Sequence, residues 1–126
     1  MDALRHVCEG LVPGGIVVDL QAIEPSGGVE VAGRPLGRID DSGFFARARL
    51  SVAGLDQLVT EGLLRTGRRE TFDTLVRYDT GAELVTAIAD SSERQMPSAL
   101  AMRLAGEGPV VVRERSLVRV FERVSR

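Results

Sequence analysis

The sequence predicts an α/β or α+β fold: a sheet of mixed strands with flanking helices, in a single domain over residues 1–126. Three observations lead there. The 126 residues are 44% hydrophobic and 27% charged, enough apolar material for one core. Runs rich in β-branched and aromatic residues at 16–21, 69–78 and 110–122 have the composition of strands. Apolar residues recur at helical spacing over 2–11, 44–61 and 80–105. The predicted order is αβ(ββ)αβααβ.

Ala3, Leu4, Val7, Cys8 and Leu11 lie three and four apart, one apolar helical stripe with Arg5, His6 and Glu9 outside it. Pro13-Gly14-Gly15 ends that helix, because proline lacks the amide donor and glycine accepts positive φ. Ile16-Val17-Val18-Asp19-Leu20-Gln21 then reads as a strand covered on both faces. Residues 24–43 are rich in turn formers and predict a surface excursion. Within it, Val29–Val31 and Leu36–Ile39 flank Ala32-Gly33-Arg34-Pro35 as a small hairpin.

From Phe44 to Leu63 the period is helical, with Gly54 expected to interrupt it, Ser51 to cap the second piece and Gly62 to stop it. Thr71 to Tyr78 predicts a strand, and Asp79-Thr80-Gly81 a break before a short helix with Glu83 near its N-terminus. Pro97 opens another short helix. Val110 to Phe121 predicts one long strand bulged near Ser116, or two short ones.

Composition removes several chemistries. All 16 basic residues are arginine, so no Schiff-base lysine, phosphate-loop lysine or kinase lysine exists in this sequence. A formal charge of −2 gives no field that recruits nucleic acid or an anionic membrane. One cysteine and one histidine exclude an internal disulfide and a zinc site built from several Cys and His ligands. A start without a charged leader, and no apolar run of the length that spans a bilayer, lead to the expectation of a soluble, cytoplasmic protein.

Ala3-Leu4-Arg5-His6-Val7, leading into Gly10-Leu11-Val12-Pro13-Gly14-Gly15-Ile16-Val17-Val18, resembles the fourth-helix-to-fifth-strand segment of class I S-adenosylmethionine-dependent methyltransferases. Leu55 to Leu64 resembles the next helix of that family, and Tyr78 to Leu84 with Val110 to Phe121 its final strands and an inserted helical pair. The resemblance implies a partial Rossmann-like methyltransferase sheet corresponding to the C-terminal half of the domain, in which the strand at 16–21 would be central in a complete enzyme. It also implies what is absent from this sequence. The family binds its cofactor on a glycine-rich turn after the first strand, with an acidic residue after the second. Gly106-Glu107-Gly108 precedes a predicted strand instead of linking a strand to a helix, and Gly14-Gly15 and Gly27-Gly28 read as turns.

Asp19, Gln21 and Glu24 lie along or just beyond the carboxyl end of the first strand, where ligands of open α/β sheets bind, and are the candidate substrate-side residues. Against this, Asp19 equally serves to satisfy a backbone donor, and Gln21 and Glu24 equally read as exposed loop. His6 reads as solvated and Cys8 as packing. Asp40 and Asp41 read as cap and dipole partner ahead of a metal site. Arg65, Arg68 and Arg69, set among Glu61, Glu70 and Asp73, read as a mixed-charge surface, Phe44 and Phe45 as core, and Arg113-Glu114-Arg115 as a solvated turn or edge. No catalytic, cofactor-binding or metal residue is assigned.

The functional expectation is a methyltransferase-like half-domain unable to bind S-adenosylmethionine or transfer a methyl group alone. Cofactor enters only if the missing half is supplied. It would act as a homo-oligomer or with a complementary cofactor-binding subunit, and not with nucleic acid or membrane. The alternatives are a free-standing small-molecule-binding or regulatory module without catalysis, and an N-terminally shortened ordinary methyltransferase.

Overall fold

The computed structural model describes residues 2–124. Its elements are α1 (Asp2–Glu9), β1 (Ile16–Val31), β2 (Arg34–Arg38), α2 (Ser42–Thr60), β3 (Leu64–Tyr78), α3 (Gly81–Ala89), α4 (Ser98–Leu104) and β4 (Val110–Arg123). The fold is α+β, with helices and one four-stranded antiparallel sheet in the order β2-β1-β4-β3. The chain divides into two compact units: the first takes residues up to 21, 47–71 and from 117 on, the second 22–46 and 72–116.

In the first unit Cys8, Leu55, Leu58, Leu63, Leu64 and Phe121 form the buried core, with Leu4, Val17 and Val59 packed on it. Leu4 and Cys8 point inward from α1, whereas Val7, expected on the same stripe, is 63% exposed. The Pro13-Gly14-Gly15 turn delivers the chain to β4: Gly14 N–H donates to the Arg123 carbonyl (3.0 Å) and Arg123 N–H to that of Gly15 (2.7 Å). Helix α2 runs unbroken through Gly54 and ignores Ser51 as a cap, because Leu55 and Leu58 beyond the glycine are buried in this core. It ends where the sequence says: Gly62 has φ +81°, with Leu63 N–H bonded to the Leu58 carbonyl and Gly62 N–H to that of Val59, a Schellman close.

In the second unit Val29, Val31, Ile39, Leu84, Ile88, Leu100, Leu104, Val110 and Val112 are buried together. The surface excursion expected over 24–43 is corrected here, since β1 continues through 24–31 and Val29, Val31 and Ile39 enter the core. The hairpin within it forms: Val31 pairs with Arg34 around Ala32 (φ 50°) and Gly33 (φ 77°), both in the left-handed region that a two-residue type I′ turn requires. Thr80 caps α3, its Oγ1 accepting from Glu83 N–H (3.1 Å), and Gly81 is obligatory because a Cβ there would lie 2.1 Å from the Leu104 carbonyl oxygen.

Alternation along β4 slips by one residue. Val110 and Val112 are buried, then Leu117, Arg119 and Phe121, so the inward positions change from even to odd near Ser116, where the sequence places a bulge. Strand β3 begins at Leu64, five residues ahead of the expected 69, through the exposed stretch Arg65–Glu70.

Leu104→Ala, removing a side chain with no exposure, is expected to cost about 3 kcal/mol, read as a lower urea midpoint at unchanged slope. Leu50→Ala, at a position 68% exposed, is expected to stay within about 0.5 kcal/mol.

Candidate functional site

The three sequence candidates separate. Asp19 and Gln21 belong to the first unit and Glu24 to the second. Because alternate residues of a strand share a face, Asp19 and Gln21 stand side by side, and Gln21 Nε2 donates to Asp19 Oδ1 at 2.8 Å. Asp19 Oδ2 is buried without a hydrogen-bond partner among the described residues. Both residues are half-buried inside β1, not in a loop, and Glu24 is exposed further along the same strand. No loop gathers the three.

The second unit instead assembles a charged cluster from residues far apart in sequence. Asp41, 3% exposed, begins α2 with its carbonyl accepting from Phe45 N–H, but its carboxylate turns inward. It accepts from Gly27 N–H at 2.9 Å and from Arg94 Nε at 2.6 Å, and Arg94 Nη2 reaches Glu114 Oε1 at 2.9 Å. Burial disfavours the Arg94 charge, yet hydrogen bonding and attraction from Asp41 and Glu114 outweigh that and hold its pKa above the ordinary value. The capping role expected of the Asp40-Asp41 pair therefore falls to Asp40, whose Oδ1 accepts from Ser42 Oγ (2.7 Å) and N–H (3.0 Å) and is held below the usual carboxylate value by those bonds. Arg113-Glu114-Arg115 is likewise no turn: it lies within β4, with Glu114 on Arg94 and Arg113 on Glu30 (3.1 Å) and Asp73 (3.6 Å).

Beside these ion pairs the second unit carries a cleft of about 300 Å³, lined by Pro25, Val29, Glu30, Pro35, Arg38 and Arg113 together with Gly28, Gly37, Asp73 and Arg115. Apolar walls with a few polar groups are the usual make-up of a small-ligand site. The first unit carries a different feature. Among the described residues β1 lies between β2 and β4, and β2 pairs with its Gly28–Val31 end. Ile16, Val18 and Leu20 are 60%, 59% and 62% exposed on the outer face of that strand. A strand face with a row of exposed branched side chains is an unfinished surface.

Gly81, between β3 and α3, donates its N–H to the Glu107 carbonyl, and a Cβ on Gly108 would lie 2.4 Å from the Asp79 carbonyl oxygen, so protein backbone fills the space beside both. Cys8 is buried, which pushes its thiol pKa up against a smaller lowering by Arg123, so its environment disfavours the thiolate. Arg65 and Arg68 form exposed pairs with Glu122 and Glu70. Among the described residues no helix is long and apolar enough to cross a membrane, and no group of three His, Cys, Asp or Glu gathers to hold a metal.

Two outcomes follow from the charged cluster. Asp41→Ala leaves Arg94 partly buried with Glu114 alone and strips the Gly27 amide of its acceptor, so a loss of about 3 kcal/mol is expected in urea unfolding. The Asp40 carboxyl is held below 3.8, so its contribution is complete above that pH and lost as pH falls through the lower folded value; Asp40→Asn should flatten this part of the acid limb. Comparison of the chain with protein-family models, curated proteins and solved structures finds no match.

Proposed function

We propose that this chain is a methyltransferase-like half-domain that carries no cofactor cradle of its own and acts by docking along β1, on a second copy of itself or on a subunit that brings the cofactor. The observation that carries this is the apolar row on the outer face of β1, Ile16, Val18 and Leu20, each about 60% exposed. The resemblance of Ala3–Val7 and Gly10–Val18 to the family's fourth-helix-to-fifth-strand segment implies that the strand at 16–21 has a further neighbour in a complete enzyme. The exposed row supports the reading because a branched apolar face in water gains by being covered. The chain's residues contribute no acid, base or nucleophile in this proposal; their part is to complete a sheet.

A second reading, a small-molecule-binding module without catalysis, is favoured by the cleft of about 300 Å³ in the second unit.

Sedimentation at high micromolar concentration, with calorimetric titration of S-adenosylmethionine and S-adenosylhomocysteine on the same sample, tests the proposal. Expected are an assembly larger than one chain, or a stable complex with a cofactor-carrying protein, and no saturable heat from the chain alone. Val18→Glu, which puts a charge into the row, is expected to weaken assembly on the order of a hundredfold. A strict monomer that binds the cofactor at micromolar concentration overturns it.

A further inference from the structure

We infer that the cleft of the second unit binds a compact organic anion, with the Arg38 guanidinium as the anchor for its carboxylate or phosphate group. This rests on the cleft alone, so it stands or falls separately from docking along β1. Three arginines and two carboxylates line the cleft. Arg113 is occupied by Glu30 and Asp73. Arg38 pairs with no carboxylate among the described residues; it donates from Nη1 to the Ser26 carbonyl at 2.6 Å.

That single bond positions the group without neutralising it. A guanidinium has five N–H donors in a planar fork, and one neutral acceptor leaves the rest of the fork for the two oxygens of an anion. The opposing position on β1 is Gly28, register partner of Arg38, where a Cβ would lie only 3.6 Å from Nη1. The missing side chain keeps the approach to the fork open.

Size and lining narrow the ligand class. About 300 Å³ lies at the low end of small-ligand clefts, room for a compact metabolite and not for a dinucleotide. Pro25 and Pro35 offer apolar contact to a carbon body, and the Glu30 and Asp73 carboxylates accept from hydroxyl or amino groups on it. A hydroxy acid or a short phosphate monoester has this chemistry, the anionic group on Arg38 being common to both.

The test is an amide and arginine-Nε NMR titration of the full chain at low salt with inorganic phosphate, glycerol phosphate and tartrate, on the native sequence, Arg38→Gln and Arg34→Gln. Arg34 is exposed in the same hairpin outside the cleft and reports the general field. Expected are saturable shifts at Gly28, Gly37 and Arg38, weakened at least about tenfold by Arg38→Gln and less than about twofold by Arg34→Gln. Tighter glycerol phosphate assigns the phosphate source and tighter tartrate the carboxylate. Absence of saturation up to about 20 mM at low ionic strength, or equal weakening by both substitutions, overturns the site.

Discussion

In each unit the helices cover one face of the sheet, the face carrying Val17 and Phe121 in the first and Val29, Val31, Val110 and Val112 in the second, so alternate strand residues must be apolar and the rest meet water. That one-sided burial decides what every strand residue can be. It places Leu117, Arg119 and Phe121 inward, where Arg119 is tolerated because its guanidinium bonds Asp56 at 2.6 Å and lies 4.7 Å over the Phe121 ring. It also turns Ile16, Val18 and Leu20 outward. A strand face in water ordinarily carries polar residues, and this apolar row is the feature on which the proposed docking rests.

Local chemistry was legible in the sequence wherever one residue type answers one backbone demand. Gly62, the hairpin around Ala32-Gly33-Arg34-Pro35 and the break at Asp79-Thr80-Gly81 are of this kind, as is the Pro13-Gly14-Gly15 turn. Elements were misjudged where packing overrides local preference. Glu24-Pro25-Ser26-Gly27-Gly28 has the composition of a loop, yet it runs in β1 because Gly27 and the residues after it are drawn into a core completed by α3, α4 and β4. The Gly54 interruption failed for the same reason.

The candidate site was less legible than the fold. Asp19 and Gln21 meet because two residues on one strand face are neighbours by geometry, which spacing alone reveals. Arg94 meets Asp41 across 53 positions and Glu114 across 20, with no periodicity to announce it. Arg38 was hidden in a similar way: an arginine among 16 acquires significance only when the fold sets it in a cleft where Arg113 is held by carboxylates and Arg38 itself is bonded to a carbonyl.

The slip near Ser116 means that β4 keeps two accounts with solvent. Before it the outward side chains are Arg113 and Arg115; after it they are Val118 and Val120. The slip is one extra residue, so deleting one residue between Arg113 and Leu117 would remove the bulge and leave Leu117, Arg119 and Phe121 inward on one unbroken alternation with Val110 and Val112. A length change that kept the bulge would instead act as a reading-frame change in three dimensions, carrying Val118 and Val120 inward and Arg119 out to water.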